Sequence, residues 1–249
     1  MDTNRVEREK TFHDERFKQD TDPRNKVKKY YSVMQKTKQI YREKVLEHCK
    51  DKDLLEYGCG VGGGTHLWAR NSARVSGIDI SSEGIKKAIE SAEKKGLNIA
   101  FYTMNAEETT FQDDAFDVVV GVGIIHHLDL EKSYAEIARI LRPNGYAFFL
   151  EPLAHNPLIN LYRLFTPALR TPDEHPLKMK DIELVERYFG SVTPQFYQLA
   201  GMLAFPFRYF SFFETVVDRL NKFDQFLFKK IPFLRRYAWV TILEFNGTK

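Results

Sequence analysis

The sequence predicts an α/β protein built on a largely parallel sheet, and three observations carry that expectation. Short β-rich runs alternate with helical runs between about residues 53 and 151. The first of these runs passes directly into the glycine cluster "EYGCGVGGGTH", and the helical runs place their apolar residues on one face. Repeated units of this length require right-handed crossovers and a sheet covered on both sides.

Each element follows in turn. Residues 1–26 show little periodicity and carry the turn signal "DTDPRN", which reads as an arm whose order depends on the rest of the protein. From 27 to 49, Tyr30, Met34, Thr37, Tyr41, Val45 and His48 recur at spacings of three and four, predicting one helix with a buried stripe; Tyr30, like its neighbour Tyr31, is read as packing. Strands are expected at 53–57, 74–79, 98–103, 116–122 and 146–151. Helices are expected at 63–71, at 82–95 with Ile85, Ala88, Ile89 and Ala92 on one face, and at 131–141 with Tyr134, Ile137, Ala138 and Leu141 on one face. "LRPNG" at 141–145 is a Pro and Gly stop before the next strand. Beyond 151 a proline-rich stretch reads as an insertion over one end of the sheet. A helix near 181–189 and a strand near 192–199 then resume the core, and "YAWVTILEF" forms the last strand.

Composition excludes several classes. The chain has 249 residues, 29% of them charged, and a net charge of +3, well short of a nucleic-acid-binding signature. No run approaches the roughly 18 apolar residues of a membrane-spanning helix. The charged N-terminus has no apolar core, so no secretory signal is expected and the cytoplasm is the default location. Cys49 and Cys59 are the two cysteines, too few for a disulfide framework or a cysteine metal cluster, and no metal is expected.

The glycine turn points to a ligand. Gly58, Gly60 and Gly62 or Gly63 let the backbone turn sharply and approach a bound group closely, and the following helix aims free N–H groups at it. Asp79 ends the second strand, where a carboxylate can accept from two ribose hydroxyls. Gly58, Gly60 and Gly63 also satisfy the dinucleotide pattern, so an NAD-dependent oxidoreductase stays open at this level. Glu56, two residues before the first glycine, and the single nucleotide-binding half favour a smaller ligand.

With "LLEYGCGVGGGT", "VSGIDIS", "NAEETTFQDDAFDVVVGVGIIHHL" and "EIARILRPNGYAFFLEP" in order, residues 40–155 resemble the class I S-adenosylmethionine-dependent methyltransferases, in the small-molecule branch that includes quinone-biosynthesis enzymes. The resemblance implies a Rossmann-like, seven-stranded, mostly parallel sheet with helices on both faces, an antiparallel last strand and a helical lid. It implies residues 1–40 as N-terminal arm and lid helix, 41–155 as cofactor-binding core, and 156–249 as substrate-side insertions, aromatic lid and last strands. Carried over by the match, Glu56, Gly58 and Gly60 surround the methionine end of S-adenosyl-L-methionine. Asp79 holds the ribose, Ile80 lies against the adenine, Asn105 and Ala106 lie at its edge, and Gly121 offers its carbonyl. Asn105 stands where the family commonly has Asp, which weakens one contact.

A sulfonium methyl is already activated, so alignment supplies most of the rate, and a histidine base helps with a hydroxyl acceptor. His126 and His155 follow strands at the ligand end and are the candidate bases; His127 reads as a packed imidazole, and His175 is a weaker candidate on a loop. The expected reaction is methylation of a small organic acceptor, most readily an oxygen of a secondary metabolite. The alternatives are a lipid, quinone or surface-glycan precursor at the membrane, or a non-catalytic binding role. Residues 201–234 carry more apolar surface than one packed stripe needs, leaving a lid, a homodimer surface and peripheral membrane contact as readings.

Overall fold

The computed structural model describes residues 3–19, 32–71, 73–167 and 170–249; Tyr30, Tyr31 and the expected start of the second helix lie outside them. In chain order the elements are α1 (Thr3–Lys18), α2 (Gln35–Cys49), β1 (Asp53–Tyr57), α3 (Gly63–Arg70), β2 (Arg74–Asp79), α4 (Ser82–Lys94), β3 (Ile99–Thr103) and β4 (Phe116–Val122). They continue as α5 (Leu130–Ile140), β5 (Leu141–Pro152), α6 (Pro157–Phe165), α7 (Met179–Glu183), β6 (Phe189–Tyr197), α8 (Phe213–Lys230) and β7 (Val240–Thr248). The seven strands form one sheet in the order β3-β2-β1-β4-β5-β7-β6. Strands β1 to β5 pair in parallel, and β7 runs antiparallel between β5 and β6.

Alternating side chains feed two cores, one on each face of the sheet. Leu55, Tyr57, Val119, Phe149 and Phe245 meet Tyr134 and Ile137 of α5 on one face. Leu54, Val118, Val120, Phe148 and Ile242 meet Tyr41 and Val45 of α2 and Trp68 of α3 on the other. Two helix starts are fixed by short polar caps: the Ser81 hydroxyl accepts from Gly84 N–H at α4 and Asp129 from Lys132 N–H at α5.

Several expectations need correction. Thr3–Lys18 of the expected arm form the helix α1, which the weak periodicity did not predict, while its order does depend on the rest of the protein through polar contacts to Ser81, Glu83, Glu107 and Asp173. Ile89 is exposed on α4, whose buried face is made by Ile85, Ala88 and Ala92. "LRPNG" does end α5, but Leu141 already pairs with Phe116, so the chain enters β5 without a separate loop and absorbs the proline in a register shift.

Phe149 stacks on Phe245 with centroids 5.7 Å apart and meets Tyr57 edge-on, all three fully buried. Phe149→Ala is therefore expected to cost roughly 3–5 kcal/mol in urea unfolding; a loss below about 1 kcal/mol would show that this core repacks.

Candidate active site

Beyond β1 the backbone turns through Gly58, Gly60 and Gly62, all at positive φ. At Gly58 a Cβ would also press on the Ile124 side chain, 2.9 Å from Cδ1, so glycine is required twice over. The loop is tied to β2 by Asp79, which accepts from Gly60 N–H at 2.8 Å through one carboxylate oxygen and from Ser81 N–H at 2.9 Å through the other. Burial pushes the Asp79 carboxyl up, opposed by these N–H groups and by the charges of His13 and Arg16.

A cavity of about 260 Å3 opens at this edge of the sheet. Its floor includes Gly58, Gly60, Asp79, Ile80, Asn105 and Ala106, which the structure brings together as the sequence suggested. Asn105 already spends its carbonyl oxygen on the Glu107 N–H at 3.1 Å.

Five candidates lie elsewhere. Glu56 is buried beneath the glycine loop against α3, where a Cβ on Gly64 would overlap its carboxylate, and it does not line the cavity. Burial pushes its carboxyl up to about 8, against the Thr65 N–H and with the nearby Asp79 charge adding to the rise. Gly121 is also outside the cavity wall. Its carbonyl accepts from the Tyr41 hydroxyl at 3.2 Å, and a Cβ there would strike Phe149 and Ile124, so it serves packing. His126 is buried away from the cavity, its Nδ1 2.7 Å from the Glu151 carboxylate, which also accepts from the Ile124 and Ile125 N–H groups. Burial holds the His126 imidazole below its ordinary pKa, and its place in this network makes it a pin for the turn after β4. His155 is half-buried and outside the cavity wall, and His175 is exposed.

His127, read from sequence as packing, lines the cavity instead. Its partners come from α1, which supplies the outer wall through Arg5, Val6, Glu9, His13, Arg16 and Phe17. Glu9 Oε2 lies 3.3 Å from His127 Nδ1 and 3.6 Å from His13 Nε2, and the two imidazoles meet edge to face at 5.7 Å. Burial opposes ionisation of Glu9, but His127, His13 and the Thr171 hydroxyl outweigh it and hold the carboxyl well below the usual range. Helix α1 is anchored at four places. Asp14 accepts from the Ser81 hydroxyl at 2.6 Å and Glu83 N–H at the start of α4, Arg5 pairs with Glu107 and donates to the His127 carbonyl, Thr171 donates to Glu9, and Arg8 clasps Asp173. The Glu9 to His13 spacing of four was the available signal, since it puts both side chains on one helical face, but nothing in the sequence tied that face to residue 127.

The fold and this cavity define a nucleotide-type site at the carboxyl edge of a seven-stranded sheet. Residues 55–149, which run from β1 into β5, match the family described as "Methyltransferase domain". It is 32% identical over 167 residues to phthiotriol/phenolphthiotriol dimycocerosates methyltransferase of Mycobacterium tuberculosis, covering 60% of this chain and 59% of that one. Ajmaline N-methyltransferase of Rauvolfia serpentina is 28% identical, with 62% of this chain and 50% of that one covered. Fatty-acid O-methyltransferase of Mycolicibacterium smegmatis is 35% identical over 103 residues, with 40% and 37% covered. The chain thus spans a little over half the length of the first of these relatives, and less of the others. Among solved structures, Haemonchus contortus phosphoethanolamine N-methyltransferase 2 in complex with S-adenosyl-L-methionine superposes over 95% of this chain and 60% of that one, with TM-score 0.63 and 14% identity. Geranyl diphosphate C-methyltransferase from Streptomyces coelicolor covers 84% and 80%, with TM-score 0.59 and 12% identity, a likeness of fold.

Because the folded chain holds the Glu56 proton more tightly than the unfolded one, the stability from this group is complete below about pH 4.5 and falls as pH rises to about 8. Glu56→Gln, an isostere of the neutral acid, should remove that fall. Unfolding free energies from urea titration are expected to diverge by at least about 1 kcal/mol in favour of the variant between acid and mildly alkaline pH, and parallel pH profiles would show that Glu56 is ionised.

Proposed function

We propose that this chain transfers a methyl group from S-adenosyl-L-methionine to an oxygen of a small organic acceptor. The observation that carries the reading is the buried Asp79 carboxylate on the cavity wall. Each of its oxygens accepts one backbone N–H and keeps lone-pair capacity for a vicinal diol, beside an apolar slot of Ile80, Met104 and Ala106 suited to a flat base. When bound, the cofactor supplies an electrophilic methyl on a cationic sulfur.

The chain's own part is positioning and proton handling. Gly58 and Gly60 allow close backbone approach, and Phe17 and Val6 of α1 add apolar surface to the cavity's outer wall. The Glu9 carboxylate lies 3.3 Å from His127 Nδ1 without a hydrogen bond between them, close enough to favour a proton on the imidazole, and Nε2 is the nitrogen assigned to take the proton from an acceptor hydroxyl. His127 thereby replaces His126 and His155 as the base in this reading.

Relatives named for dimycocerosates and fatty acids favour a lipophilic acceptor over a polar one, and the exposed aromatic surface of residues 203–233 points the same way. Ajmaline N-methyltransferase keeps nitrogen as the second acceptor class.

Methyl-labelled cofactor, incubated with the protein and a cell extract and then partitioned between water and organic solvent, should put label in the organic phase; label confined to water would contradict the lipophilic acceptor. With that product as readout, Asp79→Ala is expected to raise the cofactor KM at least about tenfold. His127→Asn should lower kcat roughly 100-fold with little change in that KM. Unaltered kcat in His127→Asn would remove it as the base.

A further inference from the structure

We infer that the outward face of α8 and its flanking segments dock on an anionic lipid surface. This deepens the lipophilic-acceptor reading above and rests on it for the substrate class.

Helix α8 is sharply divided. Val217, Asp224 and Phe228 are buried, with Asp224 accepting the Leu199 and Ala200 N–H groups at 2.9 Å each. The opposite face carries Arg219, Lys222, Phe223, Phe226, Lys229 and Lys230, all exposed. Four cations and two phenylalanines thus share one surface, while the helix's remaining acidic residues, Glu214 and Asp218, lie on one flank. None of the four cations forms an ion pair among the described residues. An ordinary solvated helix face mixes charges of both signs and leaves out large aromatics.

The same chemistry continues past both ends of the helix. Before it, Tyr209 is 79% and Phe210 57% exposed, with Arg208 lying over the Tyr209 ring at 4.2 Å. After it, Phe233 is 60% exposed and Arg236 lies over its ring at 5.0 Å. Aromatic rings with cations beside them suit a boundary between acyl chains and anionic headgroups. Among the described residues no helix is long and apolar enough to cross a membrane.

Charge selects the occupant. In a two-fold dimer through this face, Arg219, Lys222, Lys229 and Lys230 of one copy would meet the same cations of the other, with no carboxylate on the face to pair them. A surface of anionic headgroups meets all four. Position agrees: the segment leading into α8 leaves β6 at Tyr197, which pairs with Val240, and Val240 in turn pairs with Pro152 at the carboxyl end of β5. The aromatic surface therefore begins at the edge of the sheet that carries the cavity, where an acceptor drawn from a lipid layer would arrive.

Flotation of the full chain with phosphatidylcholine vesicles, with and without phosphatidylglycerol, tests this directly. Binding is expected to the anionic vesicles, to be at least about tenfold weaker on the neutral ones, and to fall steeply with added salt. Lys222→Glu with Lys230→Glu should weaken it at least about tenfold, and Phe223→Ser with Phe226→Ser should weaken it severalfold, with unfolding midpoints unchanged. Absence of binding to anionic vesicles, or equal binding by wild type and the charge-reversed variant, would overturn the proposal. So would a concentration-dependent dimer that Phe226→Ser dissociates. A cofactor-product titration on the same samples separates the two claims: vesicle binding without nucleotide binding sinks only the methyl-transfer reading, and the reverse sinks only the docking surface.

Discussion

A single buried carboxylate organises the site. Asp79 stands at the end of β2 and receives one N–H from the glycine loop and one from the turn that opens α4, so the ends of β1 and β2 are locked in one geometry. A carboxylate buried this deeply is tolerated because both oxygens are hydrogen-bonded and the Arg16 cation of α1 lies close enough to favour its charge. The loop can take the shape Asp79 requires because Gly58, Gly60 and Gly62 occupy the left-handed region, and Ile124, on the turn after β4, fills the space a Cβ at Gly58 would need.

That turn is held by a second carboxylate. Glu151 binds the N–H groups of Ile124 and Ile125 and the His126 ring, which leaves His127 as the imidazole on the cavity side. Two adjacent histidines thus have different work: one supports the turn from behind and the other meets Glu9 and His13 from α1. Helix α1 brings Glu9 within 3.3 Å of His127, so the wall of the cavity and the surroundings of that imidazole are built by the same element.

The sheet was legible from sequence because its strands are β-rich runs separated by one-faced helices, and the position of Asp79 followed from the same pattern. The glycine loop was legible because local backbone needs place it, whereas Ile80, Asn105 and Ala106 came from the family resemblance alone. What could not be read was long-range. Helix α1 has a weak apolar stripe and is ordered by polar contacts to residues about 70 to 165 positions away, such as Asp14 with Ser81 and Arg8 with Asp173. Gly121 and His126 carry no local sign that Phe149 and Glu151, each more than 20 residues on, decide their roles. Glu56 sits in the right motif, yet the strand's alternation turns it toward α3 rather than into the cavity.

The central claim is that Asp79 and the glycine loop hold S-adenosyl-L-methionine, and calorimetric titration with S-adenosylhomocysteine tests it most directly. Saturable one-to-one binding to the wild type, weakened in Asp79→Ala, is the predicted result. Binding of NAD or its reduced form with no response to S-adenosylhomocysteine would contradict the account and return the glycine loop to the dinucleotide reading.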